Sequence, residues 1–169
     1  ISRGANRIPV SIDRIPQHVR DAFVYIEDER FYEHAGVDWK RTFGAFLNEL
    51  THGMLYGSKQ GGSTITQQLI KNVSGDDEQT MDRKMREIFR AADLEKYRTK
   101  DEILEAYLNC VGMGGSCSGV QAAALKYFGK DVSELDLAEA ACLAAIPKSP
   151  ESLNPFANKE ANRERQLLV

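Results

Sequence analysis

The sequence predicts a mainly α-helical fold. Apolar residues recur at helical spacing along most of the chain, and several of these segments begin at a residue suited to cap a helix. The first such helix carries Val19, Ala22, Phe23 and Ile26 on one face, at i, i+3, i+4 and i+7. Only residues 8–12 have the pattern of an extended segment. We therefore predict one helical domain spanning residues 1–169, with a short extended lead-in.

Composition and charge exclude some classes of protein. Hydrophobic residues make up 42% and charged residues 28% of the 169 residues, as in ordinary globular domains. The net charge of −3 argues against a dedicated nucleic-acid binder, which would be strongly basic. No run approaches 18 apolar residues, and no signal-peptide pattern opens the chain. We interpret the chain as part of a longer protein, with any membrane anchor expected before Ile1.

The predicted helices follow from local capping and stop signals. Asp38 suits the N-cap of a second helix, and Thr64 with Gln67 has the spacing of a capping box. In the segment 81–92, an apolar stripe at helical spacing is expected to be buried, with charged residues on the opposite face. The stripe consists of Met81, Met85, Ile88, Phe89 and Ala92. Four more helices are expected after a second capping box, near residues 99–109, 120–128, 138–145 and from Asn158.

Two segments between helices have an ambiguous composition. Residues 51–62 are rich in glycine and carry Met54, Leu55 and Tyr56, which suits a lid, a membrane-touching loop or a plain solvent loop. The three cysteines also leave alternatives open. Cys142 lies in an apolar run and suits the core, while Cys110 and Cys117 could form a disulfide or remain free thiols.

Two clusters of charged residues are candidates for chemistry. Glu27 falls at the rim of the first apolar helix face, where desolvation can raise the pKa of a carboxyl towards that of a general base; the alternative is a solvated acidic patch. Residues 83–90 carry four cations and Glu87. They could hold a diphosphate or form ordinary i, i+4 ion pairs. The glycine turn before Thr64 leads into a helix N-terminus, which is a further but weaker indication of anion binding.

Several ordered segments resemble the peptidoglycan glycosyltransferase (transglycosylase) domain, family 51 of the glycosyltransferases. This domain occurs in class A penicillin-binding proteins and monofunctional transglycosylases. The matching segments are EDERFYEHAG at residues 27–36, GGSTITQQLIKN at 61–72, RKMRE at 83–87 and ILEAYLN at 103–109. Shorter matches follow at residues 123–130 and 147–150, so that the resemblance runs from about residue 7 to residue 156.

The resemblance implies a lysozyme-like, bilobal helical domain with a head lobe and a small membrane-touching jaw at residues 43–60. It implies polymerisation of lipid II into β-1,4-linked glycan strands, with inversion and release of the polyprenyl diphosphate. The implied partners are lipid II, the growing glycan strand and the membrane surface, with no nucleic acid. A transpeptidase domain could follow in the full-length chain, and the implied location is the extracytoplasmic face of the bacterial cell membrane.

The resemblance also assigns roles to individual residues. Glu27 matches the catalytic base, and Glu87 matches the second essential carboxylate, which would hold neighbouring cations or a divalent ion. Lys71, Arg83 and Lys84 match the diphosphate-contacting positions. The other substrate-binding positions are Asp28, Phe31, His34, Ser63, Thr64, Gln67, Gln68 and Asn72. No cofactor is required with certainty; Mg²⁺ or Mn²⁺ near Glu27, Asp28 or Glu87 is an open alternative.

Two departures from the family pattern raise alternatives. Gln79 stands where an arginine is common, and residues 110–115 replace an aromatic-glycine segment, for which a Cys110–Cys117 disulfide could compensate. One rival function is a lysozyme-like glycoside hydrolase using Glu27 and Glu87. The other is a non-catalytic module of the same fold that binds glycan or lipid II.

Overall fold

The protein is described by a computed structural model covering residues 6–50, 62–75, 78 and 80–169, with only the backbone for residues 45–50. The predicted mainly helical class is confirmed. The described helices are α1 (Gln17–Asp28), α2 (Trp39–Leu50), α3 (Ile65–Ser74), α4 (Met81–Leu94), α5 (Lys100–Cys110), α6 (Val120–Phe128), α7 (Leu137–Ala144), α8 (Pro150–Leu153) and α9 (Lys159–Gln166). The predicted jaw, residues 43–60, lies largely outside the described residues, and so does Gln79.

The predicted extended lead-in, residues 8–12, forms no strand: the strand lies just before it, and Ile12 already begins a short 3-10 helix, Ile12–Arg14. Strand β1 (Asn6–Arg7) pairs in parallel with β2 (Cys117–Ser118), and residues 8–11 follow without ladder partners. Val10 instead exchanges two hydrogen bonds with the side chain of Asn109, at 2.8 and 2.7 Å. A side chain of α5 therefore satisfies the backbone that a neighbouring strand would otherwise have paired.

The predicted helix caps are confirmed. Thr64 and Thr99 each form a reciprocal capping box, with Gln67 and Glu102 respectively. Asp38 accepts a hydrogen bond from the backbone amide of Arg41 at the start of α2, and Asn158 caps α9 in the same way. These caps depend on residues three positions apart, so local sequence is enough to specify them.

The core is formed where α1 packs against α7 and where α3 packs against both α4 and α5. The predicted inner face of α1 is confirmed, since Val19, Ala22, Phe23 and Ile26 are all buried. Fully buried side chains of α5, among them Tyr107 and Leu108, fill the centre. Helix α3 also contacts α1, so it lies among three other helices.

Helix α4 is turned away from its predicted orientation. Met81, Met85 and Phe89 of the predicted stripe are 74%, 47% and 67% exposed, and Ile88 and Ala92 are half-buried, whereas Glu87 and Ala91 are the buried residues. Periodicity located the apolar stripe but could not tell which side of the helix meets the core. Glu87 can lie inside because two cations neutralise it there, which lowers the cost of burying its charge.

Gly36 fixes the loop after α1 against α4. Its φ is +84°, and a Cβ at this position would lie 2.4 Å from the carbonyl oxygen of Ala91. No other residue fits without moving one of the two backbones. The close approach brings the loop at residues 29–38 beside the helix that carries the cationic cluster.

The three cysteines are free thiols in the structure, so the suggested Cys110–Cys117 disulfide is not formed. Cys110 lies beside the side chain of Asn72, and burial raises the pKa of its thiol. The glycine-rich loop is held in other ways. The ammonium of Lys126 donates to the carbonyl oxygens of Gly114 and Gly115, and the hydroxyl of Tyr127 donates to that of Met113.

We expect thiol titration without reductant to find three thiols in denaturant and slow labelling of the native protein. Burial raises the pKa of all three thiols, so little reactive thiolate is present near neutral pH. A count of one thiol in denaturant would show that a disulfide forms in solution.

Candidate active site

Glu27 is the penultimate residue of α1, and hydrogen bonds from three side chains fix its carboxylate and its backbone carbonyl. Its side chain is only 10% exposed. Gln68 Nε2 donates to Oε2 at 2.9 Å, and the guanidinium of Arg165 donates to Oε1 at 2.9 Å. Arg41 also donates to the backbone carbonyl oxygen of Glu27, at 3.1 Å. The carboxylate is thus fixed in one orientation at the edge of the core.

Arg165 is a site residue that the sequence analysis missed. It lies on α9, and its Nε also donates to the carbonyl oxygen of Ala145 at 3.2 Å, so the side chain is anchored at both ends of the guanidinium. Helix α9 is strongly polar and offers no apolar stripe to reveal its inner face. The contact joins residues 138 positions apart, and no local signal could have found it.

Asp28 is completely buried and acts as a junction of three elements. Its Oδ2 accepts hydrogen bonds from His34 Nε2 and from the Ile65 amide, both at 2.9 Å, and its Oδ1 accepts one from Arg41 at 3.3 Å. Because the Ile65 amide opens α3, Asp28 ties the end of α1 to the start of that helix. It has no surface to offer a substrate, so we assign it a supporting role in place of the expected direct contact.

Three more expected substrate contacts also lie inside the protein. Phe31, Thr64 and Gln67 are each 0% exposed. Phe31 packs in the core with the ammonium of Lys100 above its ring, while Thr64 donates to the carbonyl oxygen of Gly36. These residues shape the loop and the helix start beneath the site, and they do not line it. His34 is only 9% exposed and belongs to the same support.

The cationic cluster is built around Glu87. Arg83 donates to its Oε2 at 2.6 Å, and Lys84 bonds to its Oε1. Lys84 also donates to the hydroxyl of Ser63, at 3.0 Å. This hydrogen bond connects α4 to the residue that precedes the N-cap of α3. Arg83 Nε is buried and has no hydrogen-bond partner among the described residues. The cluster carries one surplus positive charge and lies near the N-terminal end of α3.

Helix α3 joins the two halves of the site. Near its N-terminus, Ser63 meets the cationic cluster, and one turn later Gln68 meets Glu27. Lys71 and Asn72 are exposed further along the same helix. Glu27 on α1 and the cation cluster on α4 are thus linked through one helix, an arrangement that suits a reaction in which a proton is removed and an anionic leaving group is stabilised.

The carboxylates do not fit a divalent metal site of their own. Both oxygens of Glu27, Asp28 and Glu87 already accept hydrogen bonds from cations, amides or, in one case, His34. Within the part of the chain that the structure describes, no group of three or more His, Cys, Asp or Glu side chains is arranged to hold a metal ion. We therefore derive no catalytic step from a metal.

Comparison with known proteins decides the family. The family model described as Transglycosylase matches residues 1–169. The chain belongs to the transglycosylase family. Three similar proteins are penicillin-binding protein 1F of Bacillus subtilis (45% identity over 97% of this chain), penicillin-binding protein 1A of Clostridium perfringens strain 13 (48% over 94%) and penicillin-binding protein 1A of Escherichia coli K12 (45% over 96%).

This transglycosylase chain spans only part of those relatives. It covers 22%, 23% and 19% of their respective lengths. Among its described helices, none is both long and apolar enough to cross a membrane. The family resemblance inferred from the motifs is confirmed, while the role of each site residue stays a prediction.

Proposed function

We propose that this domain polymerises lipid II, joining a GlcNAc 4-hydroxyl of one chain to the anomeric carbon of a MurNAc carried on a polyprenyl diphosphate. The observation that supports it most is the position of α3, which carries Gln68 at the base and adjoins Ser63 at the cation cluster. This region thereby links the base on α1 to the cations on α4, one group for each half of the reaction.

The base acts on the attacking sugar. A sugar hydroxyl is a poor nucleophile near neutral pH, so its proton must leave as the bond to the anomeric carbon forms. Glu27 takes that proton, and the fixed donors Gln68 and Arg165 hold its carboxylate in place. Holding the base in one geometry removes an ordering cost from the transition state.

The cations act on the leaving group. As the bond from the anomeric carbon to the diphosphate breaks, negative charge grows on the phosphate oxygens. Arg83, Lys84 and the exposed Lys71 meet that charge. Glu87 keeps Arg83 and Lys84 in place before the substrate arrives. Any Mg²⁺ or Mn²⁺ ion in the complex would be bound mainly by the substrate phosphates, because the carboxylates of the site already accept hydrogen bonds.

The cations also favour the transferase over a hydrolase. A lysozyme-like hydrolase releases a sugar alcohol, which carries no charge for Arg83 and Lys84 to stabilise. In addition, Glu87 is bound to both cations and 5% exposed, so it is poorly placed to serve as the second acid of a hydrolase. A non-catalytic lipid II-binding module remains the second candidate, because the same cations would bind the diphosphate of lipid II without turnover.

Polymerisation of fluorescently labelled lipid II separates the three functions. The transferase is expected to produce long glycan that lysozyme digests. A domain that binds lipid II but forms no polymer would favour the binding module. Cleavage of preformed glycan, without polymerisation, would favour the hydrolase.

The proposal extends to the place of action. Lipid II is a membrane lipid, so the domain would work at the extracytoplasmic face of the cell membrane, in a longer chain that could include a transpeptidase domain. Exposed apolar side chains support contact with the membrane. Trp39 and Phe43, one turn apart on α2, are 65% and 63% exposed. On α4, the apolar stripe of Met81, Met85 and Phe89 is also exposed.

We expect the triple variant Met81→Ser, Met85→Ser, Phe89→Ser to bind vesicles of phosphatidylglycerol and phosphatidylethanolamine at least about tenfold more weakly. Burying an apolar side chain is worth about 1.5–3 kcal/mol, and every 1.4 kcal/mol is about tenfold. Co-sedimentation measures the change. The matched control is Leu125→Ser, Leu137→Ser, which removes exposed apolar side chains elsewhere. Equal binding by both variants would exclude the α4 stripe.

A further inference from the structure

Tyr107 lies wholly inside the core, yet its hydroxyl reaches the active site. The residue is on α5 and is 0% exposed. Its hydroxyl donates to Gln68 Oε1 at 3.2 Å. A buried tyrosine hydroxyl needs a hydrogen-bond partner, and here that partner is the side chain that also contacts the base. Tyr107 itself cannot touch a substrate.

The two hydrogen bonds of Gln68 define a single orientation of its amide. With Oε1 on the Tyr107 side, Nε2 faces Glu27 and donates to Oε2 at 2.9 Å. In the flipped orientation, the amide oxygen would face a carboxylate oxygen, and two acceptors would repel each other. The tyrosine proton and the glutamate charge therefore act on opposite ends of one amide group and favour the same arrangement.

Tyr107 can supply this proton throughout the working range of pH. Burial raises its pKa well above the ordinary value for tyrosine, and the nearby negative charge of Glu27 raises it further. The hydroxyl therefore stays protonated and keeps its role as a donor. It cannot release its proton to compete with the base.

We propose that Tyr107 is a positioning residue for the catalytic base, acting through the amide of Gln68. The inference rests on the proposed function for its kinetic part only. Because Tyr107 is remote from the substrate, it is expected to affect turnover and to leave lipid II binding unchanged. Its hydroxyl fixes Gln68, and Gln68 fixes Glu27 Oε2, opposite the oxygen that Arg165 holds.

The variant Tyr107→Phe tests the proposal because it removes one oxygen and keeps the ring that packs in the core. We expect kcat to fall about three- to tenfold, the range of one net hydrogen bond, with KM unchanged. A hydrogen bond donated to a carboxylate favours its ionised form, so weaker donation should move the acid limb of the pH–rate profile to higher pH. Tyr127→Phe is the matched control, since it deletes a hydroxyl that donates at 2.6 Å to the carbonyl oxygen of Met113.

Two further measurements separate positioning from general destabilisation. In a Gln68→Ala background, Tyr107→Phe should have no additional effect on kcat, because the proposed route passes through Gln68. The side-chain amide resonance of Gln68, identified by its loss in Gln68→Ala, should shift in Tyr107→Phe and stay in place in Tyr127→Phe. This NMR measurement needs no turnover.

The outcomes are distinct. An unshifted Gln68 resonance, or an undiminished Tyr107→Phe effect without Gln68, would overturn the positioning role. A shifted resonance in a protein that makes no polymer would uphold the positioning role and reject the proposed function. Loss of kcat to the same extent in Tyr107→Phe and Tyr127→Phe, with no change in either pH profile, would reduce Tyr107 to a stability residue.

Discussion

Glu27→Gln is expected to lower the rate of lipid II polymerisation by about 100-fold or more, since general base catalysis contributes about 10²–10⁴. Glutamine keeps the size of the side chain and can still accept a hydrogen bond from Arg165, but it cannot take a proton from the sugar hydroxyl. Initial rates of labelled glycan formation measure the loss. Binding of lipid II should persist, because the cation cluster around Glu87 is untouched.

The control for this prediction is Glu29→Gln, two residues further on. Glu29 is exposed at the C-cap of α1. Its replacement removes the same charge from the same neighbourhood and should leave the rate within about twofold of the original, as is usual for a surface change. A Glu27→Gln protein that polymerises as fast as the Glu29→Gln protein would assign the base to another group.

Asp28→Asn is expected to lower the free energy of unfolding by about 3 kcal/mol or more, as when one partner of a buried ion pair is removed. The carboxylate accepts from the Ile65 amide and His34 on one oxygen and from Arg41 on the other. An amide NH₂ group must face one of these donor sets, so at least one donor is left without an acceptor whichever way asparagine is placed. Urea unfolding at neutral pH measures the change.

Asp21→Asn provides the comparison on the same helix. Asp21 is exposed and accepts a hydrogen bond from the side-chain amide of Gln17 at 2.7 Å. Its replacement should change the free energy of unfolding by no more than about 0.5 kcal/mol. Equal stability of the two variants would show that Asp28 does not tie α1 to α3 in the way the hydrogen bonds indicate.

The features that sequence predicted best are those with a local cause. The capping boxes at Thr64 and Thr99 require only two residues three positions apart, and the buried face of α1 requires only a repeat along one helix. The segments that carry the family motifs were also recognisable, because each is continuous in sequence. Local chemistry of this kind does not depend on what the rest of the chain does.

The features that sequence did not predict depend on distant partners. The apolar stripe of α4 was expected inside, yet the inward side carries Glu87, whose two cations reduce the cost of its burial. Phe31 and Asp28 lie in motif positions, but their complete burial follows from the packing of α3 and of the loop at residues 29–38. Arg165 reaches the site only through the docking of α9, which no pattern in the surrounding residues indicates.

The contact between Glu27 and Arg165 also has a consequence for biosynthesis. A ribosome delivers Glu27 first and Arg165 138 residues later, which at about 5–20 residues per second is roughly 7–28 s. During most of that interval, α1 lacks α7, the helix that it packs against in the core, and the carboxylate of Glu27 lacks its cation. The candidate site around Glu27 is therefore complete only when α9 has been synthesised and has docked.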